Sequence, residues 1–507
     1  MSFYENLLKA RHHIIFLLGL ACASGIVVYI EKLQLADAEF RASLLEVEPT
    51  EGLALPVRGK LDDESREWAE IAWQYFENNT NPDTGMVNSV NAYPAATMWD
   101  TASYMMGLIA AERLGIIDTE NFDNRVTKLL ASLASMELFE DKLPNKSYNT
   151  FTMAMVDYEN NATEDGIGWS AIDVGRVLVP LNILVWNYPE HTAAVTAVVE
   201  RWDLEAMIQD GVMIGAAVNA EGETDYVQEG RIGYEEYAAK TLSIMGFDVS
   251  RALRYVDFLE YEDIYDIEIP VDLRDPEVYE AHNYVVSESY VLDGLEFGWD
   301  RISKEFAYRV YLAQEARFEE TGILTAVSED NIDEAPYFVY NTVFTSGKAW
   351  NAITEDGDDA SNWRSLSTKA AFGWHALYDN EYTAKLMEKA SELHDPEMGF
   401  YSGWYEVMGR PNKALTANTN GIVLESLAYR ELGPLLSIHK PLLEAELESP
   451  FETAQVPEVP ASETAAPAEQ VAAEQVMADA PPVEELAADV APAEELEAAV
   501  AADTTEI

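Results

Sequence analysis

The stretch WDTASYMMGLIAAERLGIIDTENFDNRVTKLLASL, residues 99–133, holds two kinds of helix joined by a five-residue turn. Residues 99–114 are apolar almost all round, so a helix there must be enclosed on every side. After GIIDT, the apolar residues Phe122, Val126, Leu129, Leu130 and Leu133 recur at helical spacing on one face only. That second helix packs on one side and meets water on the other.

The alternation continues along the chain. Enclosed helices are predicted to start near Trp99, Ser170, Gly233, Ser287, Trp363 and Asn418, and one-sided helices near Asp63, Thr119, Pro189, Asp248, Arg301 and Asn380. Connectors into the one-sided helices are short, such as NYPEH and YDNEY. Those into the enclosed helices are long and rich in Gly, Asn, Asp and aromatics, such as NTNPDTGMVNSVNAYPAATM. In a ring of antiparallel hairpins every long loop falls on one face, where function concentrates. The expected fold is all-α: an (α/α)6 toroid over residues 60–435, with little sheet beyond short loop hairpins.

Outside that span the chain changes character. After Lys9, Arg11, His12 and His13, residues 14–30 form an uncharged apolar run, IIFLLGLACASGIVVYI. At 1.5 Å per residue it reaches roughly 25 Å, enough to span a bilayer. Basic residues before it and Asp37, Glu39, Glu46 and Glu48 after it orient the remainder outward. Residues 1–13 are thus read as cytoplasmic, 14–30 as an inner-membrane signal anchor and 31–59 as a linker, with the main domain in the periplasm. Cleavage after Ala23 is the alternative, disfavoured because IVVYI continues the apolar run. Residues 441–507 contain no Lys or Arg and are dominated by Ala, Glu, Pro and Val, the composition of a disordered tail.

The chain carries 91 acidic against 32 basic residues, a formal charge of −59, which makes nucleic acid an unsuitable partner. The single cysteine, Cys22, excludes an internal disulfide framework. No HExxH, Cys pair, GxSxG or phosphate-cradling glycine loop is present, and no metal or cofactor is expected. The acidic loops SEDNIDE (328–334) and TEDGDD (354–359) fit no EF-hand and read as solvated.

What gathers at the predicted loop face is acidic and aromatic. Asp100 follows Trp99, Asp173 follows Trp169, Glu235 and Glu236 follow Tyr234, and Glu288 precedes Tyr290. Asn418 and Asn420 open the last inner helix, Trp350 and Trp404 lie in long loops, Glu229 stands in reserve, and His282 is the one histidine expected nearby. Acidic residues at helix starts are ordinarily caps. Repeated pairing with Trp or Tyr instead suits sugars, whose apolar faces stack on rings while two carboxyls supply acid and base. Glu236 or Asp173 is the expected general acid. Asp100, Glu235 or Glu288 would activate water, and Trp99, Trp169, Tyr234, Tyr290, Trp350, Trp404, Asn418 and Asn420 would contact a polysaccharide or oligosaccharide.

Ten ordered segments, among them NPDTGMVNSVNAYPAATMWDTASY, IGWSAIDVGRVL, QEGRIGYEEYAAK, AHNYVVSESYVLDGLEFGW and TANTNGIVLESLAY, resemble the bacterial domain-of-unknown-function family 3131. The toroid it implies also looks like the six-hairpin glycosidases, particularly the glycoamylase-like domains that cut or rearrange β-1,2-glucans. Those domains carry acidic residues in a D-(S/T)-A helix start and an N-E-Y segment. WDTASY, SAIDVG and GYEEYAA are similar, with Glu replacing Asn before the Glu-Tyr pair, which leaves acid and base open. The resemblance implies a glycoside hydrolase or transglycosylase, of an inverting kind. A non-catalytic glycan-binding or assembly component is the alternative. Two carboxyls facing each other across an aromatic cleft would favour hydrolysis; widely separated ones would favour binding.

Overall fold

The computed structural model describes residues 47–50, 52, 58–274 and 282–437. The expected membrane anchor at 14–30 and the acidic tail at 441–507 lie outside the described residues. Among those described, no helix is long and apolar enough to cross a membrane.

Eleven α-helices are seen among the described residues: α1 (Asp63–Asn79), α2 (Met98–Arg113), α3 (Thr119–Ser135), α4 (Ala171–Asn187), α5 (Thr192–Val199), α6 (Tyr234–Ile244), α7 (Ser287–Leu292), α8 (Arg301–Thr321), α9 (Thr368–Tyr378), α10 (Glu381–Ala390) and α11 (Ala417–Leu432). Six of them close a ring. α2 packs on α4, α4 on α6, α6 on α7, α7 on α9, α9 on α11, and α11 returns to α2. Around it, α1 packs against α11 and α2, α3 against α2, α5 against α4, α8 against α7 and α10 against α9.

The two kinds of helix occupy the places their patterns demand. Every residue of α2 from Thr101 to Ala111 is buried, whereas α3 buries Phe122, Val126, Leu129, Leu130, Ser132 and Leu133 and exposes its other face. Hydroxyl and carboxylate caps fix the starts. Thr97 and Ser170 accept from the backbone N–H groups of Asp100 and Asp173, both at 3.1 Å. Asp62 and Asp118 do the same on the outer ring, each at 2.8 Å.

Three expectations are corrected. No outer helix forms at Asp248. A 3-10 turn at Tyr255–Asp257 leads into a hairpin of Leu259–Ile264 and Ile267–Asp272, which packs against α8. The reason is local: Ile267, Ile269 and Val271 recur at a spacing of two, the period of a strand. Nor is the domain all-α. Seven small antiparallel sheets occur among the described residues, all within the long connectors that enter the inner helices. The loop face is therefore a built surface of hairpins. The inner helix expected at Trp363 begins later, at Thr368, because Ser365–Ser367 pairs as a strand with Gly399–Tyr405.

The ring closes from α11 to α2 by a close approach. A Cβ on Gly421 of α11 would stand 2.6 Å from the Ser103 carbonyl oxygen of α2. Gly421→Val is expected to cost about 1–3 kcal/mol or more by overpacking. Urea unfolding measures it; an unchanged midpoint would mean that these helices do not meet as described.

Candidate active site

A cleft of about 340 Å³ opens where the inner helices begin. Its floor and walls take Trp99 and Asp100 from α2, Asp173 from α4, Tyr234 from α6, Lys369 from α9 and Asn418 from α11. The long connectors add Glu229, Arg231, His282, Tyr284, Glu329, Asp330, Phe338 and Tyr340. Five residues expected at the site, Trp99, Asp100, Asp173, Tyr234 and Asn418, thus meet in one place, with His282 beside them.

One wall belongs to Asp173. The Ser170 hydroxyl lies 3.0 Å from Asp173 Oδ1 and 2.6 Å from Glu229 Oε1. A hydroxyl has one hydrogen to donate, so it cannot satisfy two carboxylates. The other Glu229 oxygen is occupied, accepting from the Ala171 N–H at 2.6 Å at the start of α4. A proton on Asp173 resolves the conflict by donating to Ser170, which then donates to Glu229. Burial, followed by the Glu229 charge, accordingly pushes the Asp173 carboxyl up to about 7. Burial also raises Asp100, which accepts from Thr97 Oγ1 at 2.8 Å, and Glu229.

A second wall belongs to Asp330. In the ring order, α4 and α9 are third neighbours, and Asp330 enters the cleft from the strand Glu329–Asn331 beside α9. Lys369, in the first turn of α9, has Asp330 Oδ1 at 3.5 Å. Asp330 is only 2 % exposed. Burial lifts its carboxyl to about 7 even though Lys369 opposes the shift. Aromatic rings line the space between the walls: Tyr284 stacks on Tyr340 at 3.8 Å between centroids, and Phe338 meets Tyr340 edge-on at 5.2 Å.

Glu288, expected as a catalytic group, does not line the cleft. It lies beneath, fully buried, bound by the Lys369 ammonium and accepting from Trp99 Nε1 and Asn418 Nδ2 at 2.8 Å each. Burial disfavours its charge, but Lys369 and Arg176 outweigh burial and hold its pKa below the ordinary value. It stays ionised and fixes three residues of the cleft.

The structure places the glutamates of GYEEYAA elsewhere. Glu236 Oε2 accepts from the Gly233 N–H at 2.7 Å and caps its own helix. Glu235 pairs with Arg274 at 2.6 Å, and Arg274 in turn holds Asp272. Both line a separate small cavity with Arg251, Arg254 and Arg274, outside the cleft. Four aromatics are also away from it. Trp169 is fully buried and donates to the Ile214 carbonyl at 3.0 Å, and Tyr290 is 2 % exposed. Trp350 lies under Arg317 and Trp404 under Lys389. Asn420 is buried and bonds the backbone of Phe400 and Thr416.

The residues missed were Glu329, Asp330, Lys369 and the Tyr284–Tyr340 stack. SEDNIDE is not a solvated loop at its start, since Glu329–Asn331 pairs as a strand with Phe338–Asn341. The available signal was TGILTAVSED, an apolar run leading straight into the two acids. Among the described residues, Asp123, Glu190 and His191 bring possible ligand atoms within 4.8 Å on the outer helices. His191 Nε2 is already paired there with Asp123 Oδ1 at 2.9 Å.

A ring of six inner helices with an acidic, aromatic-walled cleft on its loop face is thus what the fold and site define. The chain belongs to the family described as "Protein of unknown function (DUF3131)", whose model matches residues 67–433. No curated protein matches the sequence. Among solved structures, a glucoamylase candidate from Bacteroides caccae is 12% identical, with a TM-score of 0.55 over 76% of this chain and 97% of that one. The endo-β-1,2-glucanase from Chitinophaga pinensis, in complex with sophorotriose and glucose, is 14% identical, with a TM-score of 0.53 over 76% and 97%. A glucoamylase candidate from Bacteroides fragilis gives 13% and 0.52 over 79% and 98%. At such identities the likeness is one of fold.

Glu236→Ala is expected to remove a cap and cost about 0.5–2 kcal/mol. Chemical denaturation checks this, and an unaffected stability would contradict the capping role.

Proposed function

We propose that this protein is a glycoside hydrolase acting on a glucan-type polysaccharide or oligosaccharide. What carries the reading is a pair of buried carboxyls, Asp173 and Asp330, that line one aromatic cleft from different elements and that burial pushes up to about 7. Their neighbours break the tie between them. The Glu229 charge favours the protonated form of Asp173, while at Asp330 the Lys369 ammonium, which favours the ionised form, acts more strongly than either of the opposing Glu288 and Glu329 charges. Asp173 is therefore the general acid, giving its proton to the glycosidic oxygen as the C–O bond breaks. Asp330 is the base, taking a proton from the water that attacks the anomeric carbon. Attack from the wall opposite the acid inverts the anomeric configuration. Trp99, Tyr284 and Tyr340 supply ring faces for stacking. The fold shared with glucan-cleaving enzymes supports the substrate class, as analogy only.

A glycan-binding component without turnover would not need two carboxyls poised in this way. The apolar run at 14–30 supports an inner-membrane anchor with the domain on the periplasmic side.

Asp173→Asn and Asp330→Asn should each lower turnover by on the order of 10²–10⁴-fold while leaving circular dichroism unchanged. Glu236→Gln should keep near-normal activity. The rate should peak near neutral pH, because falling pH protonates the base and rising pH ionises the acid. New reducing ends released from a panel of bacterial glucans are the readout. Full activity in both Asn variants would sink the assignment.

A further inference from the structure

The cleft contains more carboxyl groups than glycoside cleavage requires. Besides Asp173 and Asp330, it presents Asp100, Glu229 and Glu329. Two cationic residues, Lys369 and Arg231, line it, and both are engaged by the protein. Lys369 is bound from behind by Glu288. Arg231 Nη1 donates to Gln228 Oε1 at 3.0 Å and to the Gly230 carbonyl at 2.5 Å.

Two further observations point to a positive ligand. Neither oxygen of Asp330, itself 2 % exposed and facing the cleft, accepts a hydrogen bond from the described residues. The Lys369 ammonium stands 3.5 Å away and the Ser367 hydroxyl is also beside that carboxyl. The rest of the lining is aromatic, with Trp99, Tyr234, Tyr284 and Tyr340 among its walls, and ring faces attract cations as carboxylates do. Trp99 shows this within the protein, since the Arg176 guanidinium lies 4.3 Å from its ring centroid.

Resting on the hydrolase reading, we infer that the preferred substrate carries amines: a hexosamine polymer whose amino groups are at least partly unacetylated and protonated. A protonated amine donates three hydrogen bonds, which suits acceptor-only carboxylates better than a sugar hydroxyl does. A uronic acid polymer would meet like charge and should bind more weakly. Binding of the amine favours the ionised carboxyls, so it releases protons as it proceeds.

The test uses the full chain and four tetrasaccharides: β-1,4-glucosamine, its fully N-acetylated form, cellotetraose and sophorotetraose. Calorimetry at about pH 6.5 compares their affinities, with the glucosamine tetramer measured in buffers of different ionisation enthalpy. The expected result is tighter binding of the glucosamine tetramer by at least about tenfold, about 1.4 kcal/mol. Proton release should accompany it. Asp330→Asn and Glu229→Gln change the chain charge by a single unit, so a preference held in the cleft should shrink in each. A preference that persists in both is attraction to the acidic surface and overturns the inference. Equal or tighter binding of cellotetraose or sophorotetraose also overturns it, while leaving the hydrolase reading intact. Absence of binding by all four, with no glucan cleaved, would defeat that reading as well.

Discussion

One buried carboxylate ties the ring together. Glu288, on α7, is in contact with Trp99 of α2, Arg176 of α4, Lys369 of α9 and Asn418 of α11. Five of the six inner helices therefore converge on a single side chain. Taking such charges out of water is expensive, and a buried ion pair does not guarantee net stability over a well-packed apolar core. Losing one partner is another matter, costing about 3–5 kcal/mol, because the remaining charge stays buried without compensation. The network therefore specifies geometry more than it adds stability. It sets where the Trp99 indole lies and holds the Lys369 ammonium between Glu288 and Asp330. The ionisation of the cleft follows from that placement.

A second constraint decides which acidic residues reach the cleft at all. Asp100, Asp173 and Glu236 occupy the same third position of their helices. Thr97 and Ser170 precede the first two and cap their helices with a hydroxyl, so neither carboxylate is needed to cap the backbone. Gly233 precedes the third and has no side chain, so Glu236 folds back to satisfy the Gly233 N–H itself. The glycine is required there: its φ of +100° is strained for other residues, and a Cβ would stand 2.8 Å from Ser289 Oγ. Doubled carboxylates at a helix mouth were the more conspicuous sequence feature, yet the residue three places earlier was the informative one.

Much of the scaffold was legible in the chain, because all-round and one-sided apolar patterns have different burial requirements and the connector lengths distinguish the two faces. The hairpin at 259–272 was not, since a helix was expected wherever the alternation called for one, and the spacing of Ile267, Ile269 and Val271 was overlooked. Half of the cleft was legible as acidic–aromatic helix starts. Trp169 and Tyr290 were misplaced because a large aromatic fills a core as readily as it lines a cleft. Asp330 was hidden by its context, for two acids in SEDNIDE read as solvated until the strand pairing and Lys369, 39 positions later, are known.

The central claim is that Asp173 and Asp330 titrate near neutrality and in opposite order of readiness. Carbon-13 NMR of protein labelled at the aspartate carboxyls, with the two resonances assigned from Asp173→Asn and Asp330→Asn, observes this directly. The account predicts two carboxyls titrating close to pH 7, Asp330 ionising first, and a lower Asp173 value after Glu229→Gln removes the neighbouring charge. Titration of both groups near the ordinary aspartate value of about 4 would contradict it.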